Sequence, residues 1–177
     1  MCVIQVGKNN KNQDVDKIIS NIISNTPGIR YSEISRLTGF SSGLLTYHLI
    51  HLEKSNLVKT MRFPKITRYY PPNFSDEKTM ILGILRNEQA RKIIIFCLKL
   101  NDVYFCDIVS HMDKSPSTVS RHIQKLIDAK IVKVRRKDGK KVYNIECADL
   151  IAKTLSKYKT MFSGQISKNH TKPDSSL

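Results

Sequence analysis

The amino-acid sequence repeats itself, and this repeat limits the possible folds more than any other feature. At an offset of 74 residues, positions 14–71 align with positions 88–145 without a gap, and nine of the aligned pairs are identical. Self-similarity at a fixed offset indicates a repeated structural unit. The sequence therefore predicts two copies of one small unit. The identical pairs include Ser41 with Ser115, His48 with His122, Leu52 with Leu126, and Tyr69 with Tyr143.

The first copy has the pattern of three helices followed by a β-hairpin. Isoleucines within residues 14–25 fall on one face of a helix, and a short helix is predicted over 32–37. Gly39 suits a tight turn, because glycine tolerates positive φ angles. Ser41 is the expected N-cap of a third helix over 42–54. Two extended segments then complete the unit.

The second copy has the same order of elements. Ser115 is the expected N-cap of its third helix, and Pro116 fits the first helical position, where no N–H donor is needed. Asp138-Gly139 predicts a two-residue hairpin turn. A helix, a short helix, a turn, a longer helix and a basic hairpin are the elements of a helix-turn-helix with a wing.

We therefore expect a mainly α fold with small β-hairpin wings, which makes the chain an α+β protein with two tandem winged helix-turn-helix domains. Apolar residues between the two copies predict a helical linker rather than a flexible tether. The expected segments are a flexible N-terminus (1–13), the first domain (14–72), the helical linker (73–86), the second domain (87–147), a C-terminal helix (148–162) and a disordered tail (163–177).

The chain is strongly basic, with 30 Lys and Arg residues against 15 Asp and Glu residues, a formal net charge of +15. The excess is present in both halves, so a single basic tail does not explain it. Such a charge favours a polyanionic partner. Double-stranded DNA is the expected partner, and an anionic membrane surface is the alternative.

The four cysteines lack the close spacing of a zinc site, so we expect no metal and no cofactor. The sequence has no recognisable signal peptide, and no apolar run approaches the roughly 20 residues of a membrane span. We therefore expect a cytoplasmic, nucleoid-associated protein. No paired carboxylates, nucleophile–base set or phosphate-binding loop occurs at a suitable spacing, and this argues against an enzyme.

The third helix of each copy carries the expected sequence-reading residues, because its apolar stripe faces its own unit and leaves the opposite face for a major groove. Arg121 has the chemistry to contact guanine, and Gln124 has the chemistry to contact adenine. The third helix of the second copy is the more cationic of the two, so we expect it to be the main DNA-reading helix. The predicted residues are Ser42, Gly43, Thr46, Tyr47 and His51 in the first unit, and Ser117, Thr118, Ser120, Arg121, Gln124 and Lys125 in the second.

The hairpins supply positive charge that suits contact with phosphates. The predicted wing contacts are Arg62, Lys65 and Arg68 in the first unit, and Arg135, Arg136, Lys137, Lys140 and Lys141 in the second. A basic hairpin on its own is often only a solvated face. Its position after a helix-turn-helix pattern, in both copies, favours a role in DNA binding.

Two segments resemble known families. The run from Ser115 to Ile123, with Leu126 after it, resembles the recognition helix of ArsR-like repressors in the ArsR/MarR-like winged-helix superfamily. The run from Gly43 to Leu49 is similar to the first unit of archaeal tandem winged-helix regulators. The resemblance covers about residues 14–162 and implies a DNA-binding fold with a role in transcription regulation.

One departure from the resembled family concerns metal binding. Metal-sensing ArsR proteins carry the run Cys-Val-Cys-Asp-Leu in the short helix, whereas this chain has Tyr-Phe-Cys-Asp-Ile over 104–108. Only the second thiol, Cys106, is present, so a thiolate metal site is not expected. Cys97 lies on an apolar helix face and is expected in the core. His48 and His122 are expected to be structural histidines.

Three functions remain open at this point. The first is a transcriptional regulator that reads a DNA sequence, the second is a non-specific architectural or nucleoid DNA-binding protein, and the third is a winged-helix protein-interaction subunit of the transcription machinery. The C-terminal helix has an apolar stripe that suits either a homodimer interface or packing on its own domain.

Overall fold

The fold is described from a computed structural model of the chain, which describes residues 7–63, 66–100 and 102–163. The chain divides into two compact units, the first ending at Gly83 and the second beginning at Ile84. The division falls inside a helix that lies within the predicted linker segment 73–86.

The first unit is a three-helix cluster covered by a small antiparallel sheet. Its third helix packs against the first helix, and buried isoleucine and leucine side chains from all three helices form one core. The sheet has the strand order β1-β3-β2. The elements are α1 (Gly7–Asn25), β1 (Ile29–Arg30), α2 (Tyr31–Thr38), α3 (Ser42–Lys54), β2 (Lys59–Phe63) and β3 (Ile66–Tyr70), and helix α4 (Asp76–Leu85) follows them.

The second unit has the same elements and the corresponding sheet order, β4-β6-β5. Its core contains the inner stripe of its third helix, together with apolar residues of the first helix and of the sheet. Two further helices follow the sheet. The elements are α5 (Glu88–Lys99), β4 (Val103–Tyr104), α6 (Phe105–His111), α7 (Pro116–Asp128), β5 (Val132–Lys137), β6 (Lys140–Ile145), α8 (Ala148–Lys157) and α9 (Lys159–Ser163).

The predicted duplication is confirmed by the positions of these elements. Helices α3 and α7 begin and end at positions that differ by the 74-residue offset of the sequence repeat, and so do strands β1 and β4. The strand pairing keeps the same offset, because Ile29 pairs with Tyr69 in the first unit and Val103 pairs with Tyr143 in the second. The winged helix-turn-helix fold class is therefore confirmed in both copies.

The local signals that begin the third helices are also confirmed. The Ser41 hydroxyl accepts a hydrogen bond from the backbone N–H of Leu44 at 3.4 Å, and the Ser115 hydroxyl accepts one from Thr118 at the same distance. Such caps satisfy N–H groups that have no partner inside the helix. At the wing tip, Asp138 and Gly139 both have positive φ angles, 51° and 75°, as a tight hairpin turn requires.

Three features differ from the prediction. Helix α1 begins at Gly7, within the segment 1–13 that the sequence assigned to a flexible N-terminus. Its first turns carry polar residues and so lack the apolar periodicity that marks a helix in sequence. Each predicted two-stranded hairpin is a three-stranded sheet, because a third strand of only two residues pairs with it. Residues 1–6 and 164–177, which include nearly all of the predicted tail, lie outside the described residues.

The predicted C-terminal helix over 148–162 is interrupted, since α8 ends at Lys157 and α9 begins at Lys159. The intervening Tyr158 adopts φ −110° and ψ 23°, outside the helical range. Phe162, beyond this break, is buried, and the Arg91 guanidinium lies 4.8 Å from the centre of its ring. The break therefore accompanies packing of Phe162 within the second unit.

His48 is a structural histidine of the first unit, as expected. Its ring is 1% exposed, and its Nδ1 atom lies 2.8 Å from a carboxylate oxygen of Asp16. The other oxygen of Asp16 lies 3.1 Å from Nδ1 of the exposed His51. One carboxylate therefore ties helix α1 to two positions of helix α3.

Replacing Asp16 with alanine should destabilise the first unit by about 1–3 kcal/mol, because it leaves a buried imidazole nitrogen without its hydrogen-bond partner. Urea unfolding followed by circular dichroism measures the change. Asp16→Asn is the matched control, since its amide oxygen can still accept the bond, and we expect it to recover more than half of the loss. Equal destabilisation by both substitutions would contradict this role of the carboxylate oxygen.

Candidate nucleic-acid interface

Helix α7 presents an exposed polar and cationic face because its apolar stripe is used by the core. Val119, Ile123 and Leu126 are buried with 0–3% exposure, and they hold the helix against the rest of the second unit. The opposite face carries five exposed residues of the predicted recognition set and the half-buried Thr118. The exposed residues are Ser117, Ser120, Arg121, Gln124 and Lys125.

The exposed side chains of α7 differ in whether they already have hydrogen-bond partners within the unit. The Gln124 amide donates a hydrogen bond to Asp128 at 2.8 Å, one turn further along the helix. The Ser115 hydroxyl lies within hydrogen-bond distance of both Ser117 and Thr118. Arg121 and Lys125 make no hydrogen bond or ion pair with any described residue, and their guanidinium and ammonium groups are therefore available to a partner.

The wing of the second unit is formed by strands β5 and β6, and its tip is covered with cations. The strand register places Arg136 opposite Lys141, and Lys137 opposite Lys140. Like charges directly opposite each other repel. Arg136, Lys140 and Lys141 are exposed and have no carboxylate partner among the described residues. The tip therefore holds positive charge that a polyanion can neutralise.

Asp102 holds the base of this wing, and sequence reasoning did not identify it. One oxygen of its carboxylate accepts from the Lys137 ammonium at 2.8 Å, and the other accepts from the Asn144 amide at 3.2 Å. The Arg135 guanidinium lies 3.6 Å away. The hydrogen bonds from Lys137 and Asn144 lower the pKa of Asp102, and the carboxylate raises the pKa of Lys137. Arg135 and Lys137 are thus less free to meet a phosphate than the other wing cations.

Replacing Asp102 with asparagine should strengthen DNA binding several-fold at low salt, because it removes a negative charge from the wing and frees the Lys137 ammonium. The plot of log K against log salt concentration should steepen by up to about one counterion. Fluorescence anisotropy with a DNA duplex at several salt concentrations measures both effects. Asp149→Asn removes the same charge from helix α8 and serves as the control, and an equal gain in that variant would contradict a local effect.

The outer face of helix α3 in the first unit has a different character. Ser42, Gly43, Thr46, Tyr47 and His51 are all exposed. The Thr46 hydroxyl lies 3.2 Å from the Tyr31 hydroxyl, and the His51 ring contacts Asp16, so both polar groups have partners within the unit. Large apolar side chains dominate this face; Leu44, Tyr47 and Ile50 are 38%, 60% and 48% exposed. It lacks a cation that corresponds to Arg121.

The described cations of the first wing already have partners within the chain. The Arg62 guanidinium forms a 2.6 Å ion pair with Glu53 of helix α3, and this hydrogen bond lowers the pKa of Glu53. The prediction for Arg68 is wrong, because this side chain is only 4% exposed and donates to the backbone oxygen of Gly28 at 2.7 Å. Arg68 lies on strand β3, where its side chain ties the strand to the turn after α1. Lys65 lies outside the described residues.

The cysteines and helices of the described chain also bear on metal binding and on membrane crossing. Cys97 is buried, and burial raises the pKa of its thiol to about 11, so it remains protonated at neutral pH. Cys106 is exposed. Within the described ranges, no three His, Cys, Asp or Glu side chains cluster as a metal site would require. None of the described helices is long and apolar enough to cross a membrane.

Comparisons with known proteins bear on both halves of the chain. A family model described as an N-terminal HTH domain matches residues 13–82, and the model of the arsR family of bacterial regulatory proteins matches residues 88–134. An uncharacterised HTH-type transcriptional regulator of Methanocaldococcus jannaschii is 31% identical over 132 residues, which is 75% of this chain and 33% of the relative. This chain therefore spans about a third of the length of that relative.

Two further similarities concern single domains. The arsenical resistance operon repressor of Staphylococcus xylosus is 30% identical over 95 residues, which cover 52% of this chain and 90% of the repressor. Among solved structures, a homodimeric winged helix-turn-helix domain of Mycobacterium bovis aligns with a TM-score of 0.42 and 17% identity, over 57% of this chain and 98% of that domain.

Proposed function

Because this chain belongs to the helix-turn-helix transcriptional regulators, with an N-terminal HTH domain followed by an arsR-family domain, we propose that its second unit reads a specific DNA sequence. One observation carries the proposal. Helix α7 has its apolar stripe buried and its polar and cationic face exposed, beside a wing in which Arg136, Lys140 and Lys141 have no carboxylate partner in the described chain.

The proposed contacts follow from the chemistry of the exposed groups. The major groove of B-DNA admits an α-helix, and a guanidinium can donate two hydrogen bonds to guanine O6 and N7. Arg121 is the residue that we assign to this contact, since its guanidinium is free. Gln124 has the groups to pair with adenine, although its amide nitrogen already donates one hydrogen bond to Asp128. Lys125 and Ser120 flank these positions.

The wing has a different proposed task. Phosphate contacts carry no sequence information, but they fix the orientation of a protein on the duplex and add affinity that falls with salt. Arg136, Lys140 and Lys141 are the residues that we assign to phosphates. The Asp102 carboxylate holds the base of the wing, so the tip cations extend from a fixed strand pair rather than from a loose loop.

The first unit has a smaller proposed role in DNA binding. Arg62 is neutralised by Glu53, Arg68 is buried, and the exposed face of α3 is apolar and aromatic. We propose that this unit contacts DNA weakly or serves as a docking surface.

A homodimer through the C-terminal helix and a cytoplasmic, nucleoid-associated location are also proposals. A homodimer through the C-terminal helix has limited apolar surface to use, because Ile151 and Phe162 are buried within the chain and only partly buried residues such as Leu155 remain. A cytoplasmic, nucleoid-associated location follows from the proposed DNA partner.

The test is selection of bound fragments from a random DNA pool, followed by competition with excess random DNA. A sequence-specific regulator should enrich a defined motif, and its complex with that motif should survive the competitor. Binding that is lost to the competitor without any enriched motif would instead favour a non-specific architectural protein. Absence of DNA binding at moderate salt would favour a protein-interaction subunit.

A further inference from the structure

A groove lies between the recognition helix and the wing of the second unit. Its volume is about 640 Å³, within the range of about 300–1,000 Å³ that is typical of small-molecule sites. Three aromatic side chains, Tyr104, Phe105 and Tyr143, line it together with Lys140 and Lys141. Ser120 contributes a hydroxyl group from helix α7, and Cys106 lies at the wall formed by helix α6.

The first unit provides an internal comparison, because the duplication places a corresponding groove there. That groove has a volume of about 190 Å³, and four of its lining residues, Tyr31, Thr46, Thr67 and Tyr69, are counterparts of residues that line the second groove. Two contacts cross it: the Arg62–Glu53 ion pair, and the Tyr31 hydroxyl that lies 3.2 Å from Thr46. Both contacts join elements that form opposite walls. The first groove is therefore narrowed by its own side chains.

The second unit lacks both crossing contacts. At the 74-residue offset, Tyr31 is replaced by Phe105, which has no hydroxyl, and Glu53 is replaced by Ile127, which has no carboxylate. The counterpart of Arg62 is Arg136, which has no ion pair among the described residues. The wider groove thus accompanies the loss of two polar partners, and this loss leaves a cation and a serine hydroxyl without the partners that their counterparts have.

The residues that line the wider groove indicate which chemical class of ligand it suits. Aromatic side chains offer faces on which a nucleobase can stack. Lysine ammonium groups bind phosphate as point charges. Lys140 and Lys141 stand where the first unit has Ile66 and Thr67, so the positive charge is particular to the second groove. Arg136 lies opposite Lys141 across the strand pair and adds to that charge.

We propose that this groove is a binding site for a nucleoside monophosphate. The base packs against the aromatic wall formed by Tyr104, Phe105 and Tyr143, and the phosphate dianion is held by the lysines of strand β6. The regulatory consequence rests on the proposed DNA-binding function. Because Ser120, Lys140 and Lys141 also belong to the proposed DNA interface, a bound nucleotide and bound DNA exclude each other.

Isothermal titration at physiological salt tests the site on the whole chain without DNA. AMP, adenosine and ribose 5-phosphate are the three probes, which carry base and phosphate, base alone, and phosphate alone. AMP should bind once per chain and about 10-fold or more tighter than either fragment, since stacking and charge both contribute. Equal affinities for AMP and ribose 5-phosphate would overturn the proposal, because they would show only charge attraction, and so would the absence of AMP binding at millimolar concentration.

Matched variants locate the site. Cys106→Trp fills the groove from an exposed position and should abolish AMP binding, while Ser32→Trp, the equivalent change in the first unit, should leave it intact. Phe105→Leu keeps the apolar volume but removes the ring, and should lower AMP affinity toward that of ribose 5-phosphate. Circular dichroism verifies that each variant is folded. Unchanged AMP affinity in both folded groove variants would refute this location.

Competition with DNA separates this inference from the proposed function. Titration of AMP into a complex with a selected DNA motif should weaken that complex, whereas adenosine should not. AMP binding that leaves DNA affinity unchanged would overturn the mutual exclusion. If AMP binds as described but no DNA motif is enriched, the site stands and sequence-specific regulation fails. If a motif is enriched but AMP does not bind, sequence-specific regulation stands and the nucleotide site fails.

Discussion

Replacing Arg121 with alanine should weaken binding to the selected DNA motif by about 1–3 kcal/mol, or about 5–150-fold. The guanidinium is exposed on the outer face of α7 and has no partner within the described chain, so its loss leaves the fold intact. The physical reason for the large effect is the loss of two hydrogen bonds to one base. Anisotropy titrations with the motif and with a variant altered at the contacted base measure the change.

Two other substitutions distinguish base recognition by Arg121 from electrostatic attraction to phosphates. Arg136→Ala removes the same charge from the wing and should weaken binding to every sequence alike, with a salt dependence reduced by about one counterion. Tyr47→Ala, at the position in α3 that corresponds to Arg121, should have little effect. If Arg121→Ala and Arg136→Ala lower affinity equally on all sequences, Arg121 does not read a base.

Replacing Leu126 with alanine should destabilise the second unit by about 2–5 kcal/mol. The side chain is fully buried on the inner face of α7, and its removal leaves a cavity. The same residue links the helix to the wing, since its backbone oxygen accepts from the N–H of Ile131 just before β5. We therefore expect specific DNA binding to fall together with stability. Hydrogen exchange resolved by peptide measures the loss of protection within the second unit.

Leu52→Ala is the matched change in the first unit, where the side chain is equally buried. It should remove protection from peptides of the first unit at a similar energetic cost. DNA binding should be affected far less than by Leu126→Ala, because the proposed reading helix lies in the other unit. A larger loss of DNA affinity from Leu52→Ala would reverse the proposed roles of the two units.

Much of the fold could be predicted because its signals are local. The serine caps of α3 and α7, the Asp138-Gly139 turn and the apolar stripes each act within a few residues, and the repeat supplied the caps and the stripes twice. The β1 and β4 strands could not be predicted, since two residues carry no period. The N-terminal turns of α1 were missed because their polar residues show no apolar periodicity.

The candidate site was less predictable because its energetics depend on partners that are distant in sequence. Asp102 and Lys137 are 35 residues apart, and Arg68 and the Gly28 oxygen are 40 apart. A basic hairpin in sequence gives the number of cations but not which ones are neutralised or buried. By contrast, the exposed positions of α3 and α7 followed directly from helical periodicity.

The residue that holds the second wing also has a strained backbone conformation. Asp102 adopts a φ angle of 56°, in the left-handed region, whereas its counterpart Gly28 adopts 76° at no steric cost. A non-glycine residue in this region is strained by about 1 kcal/mol or more. Variants selected for thermal stability should therefore favour glycine at position 102. Variants selected for DNA binding at low salt should also lose the aspartate, because its carboxylate repels phosphate and neutralises Lys137. The two selections, applied to one library, should therefore agree in removing aspartate from this position.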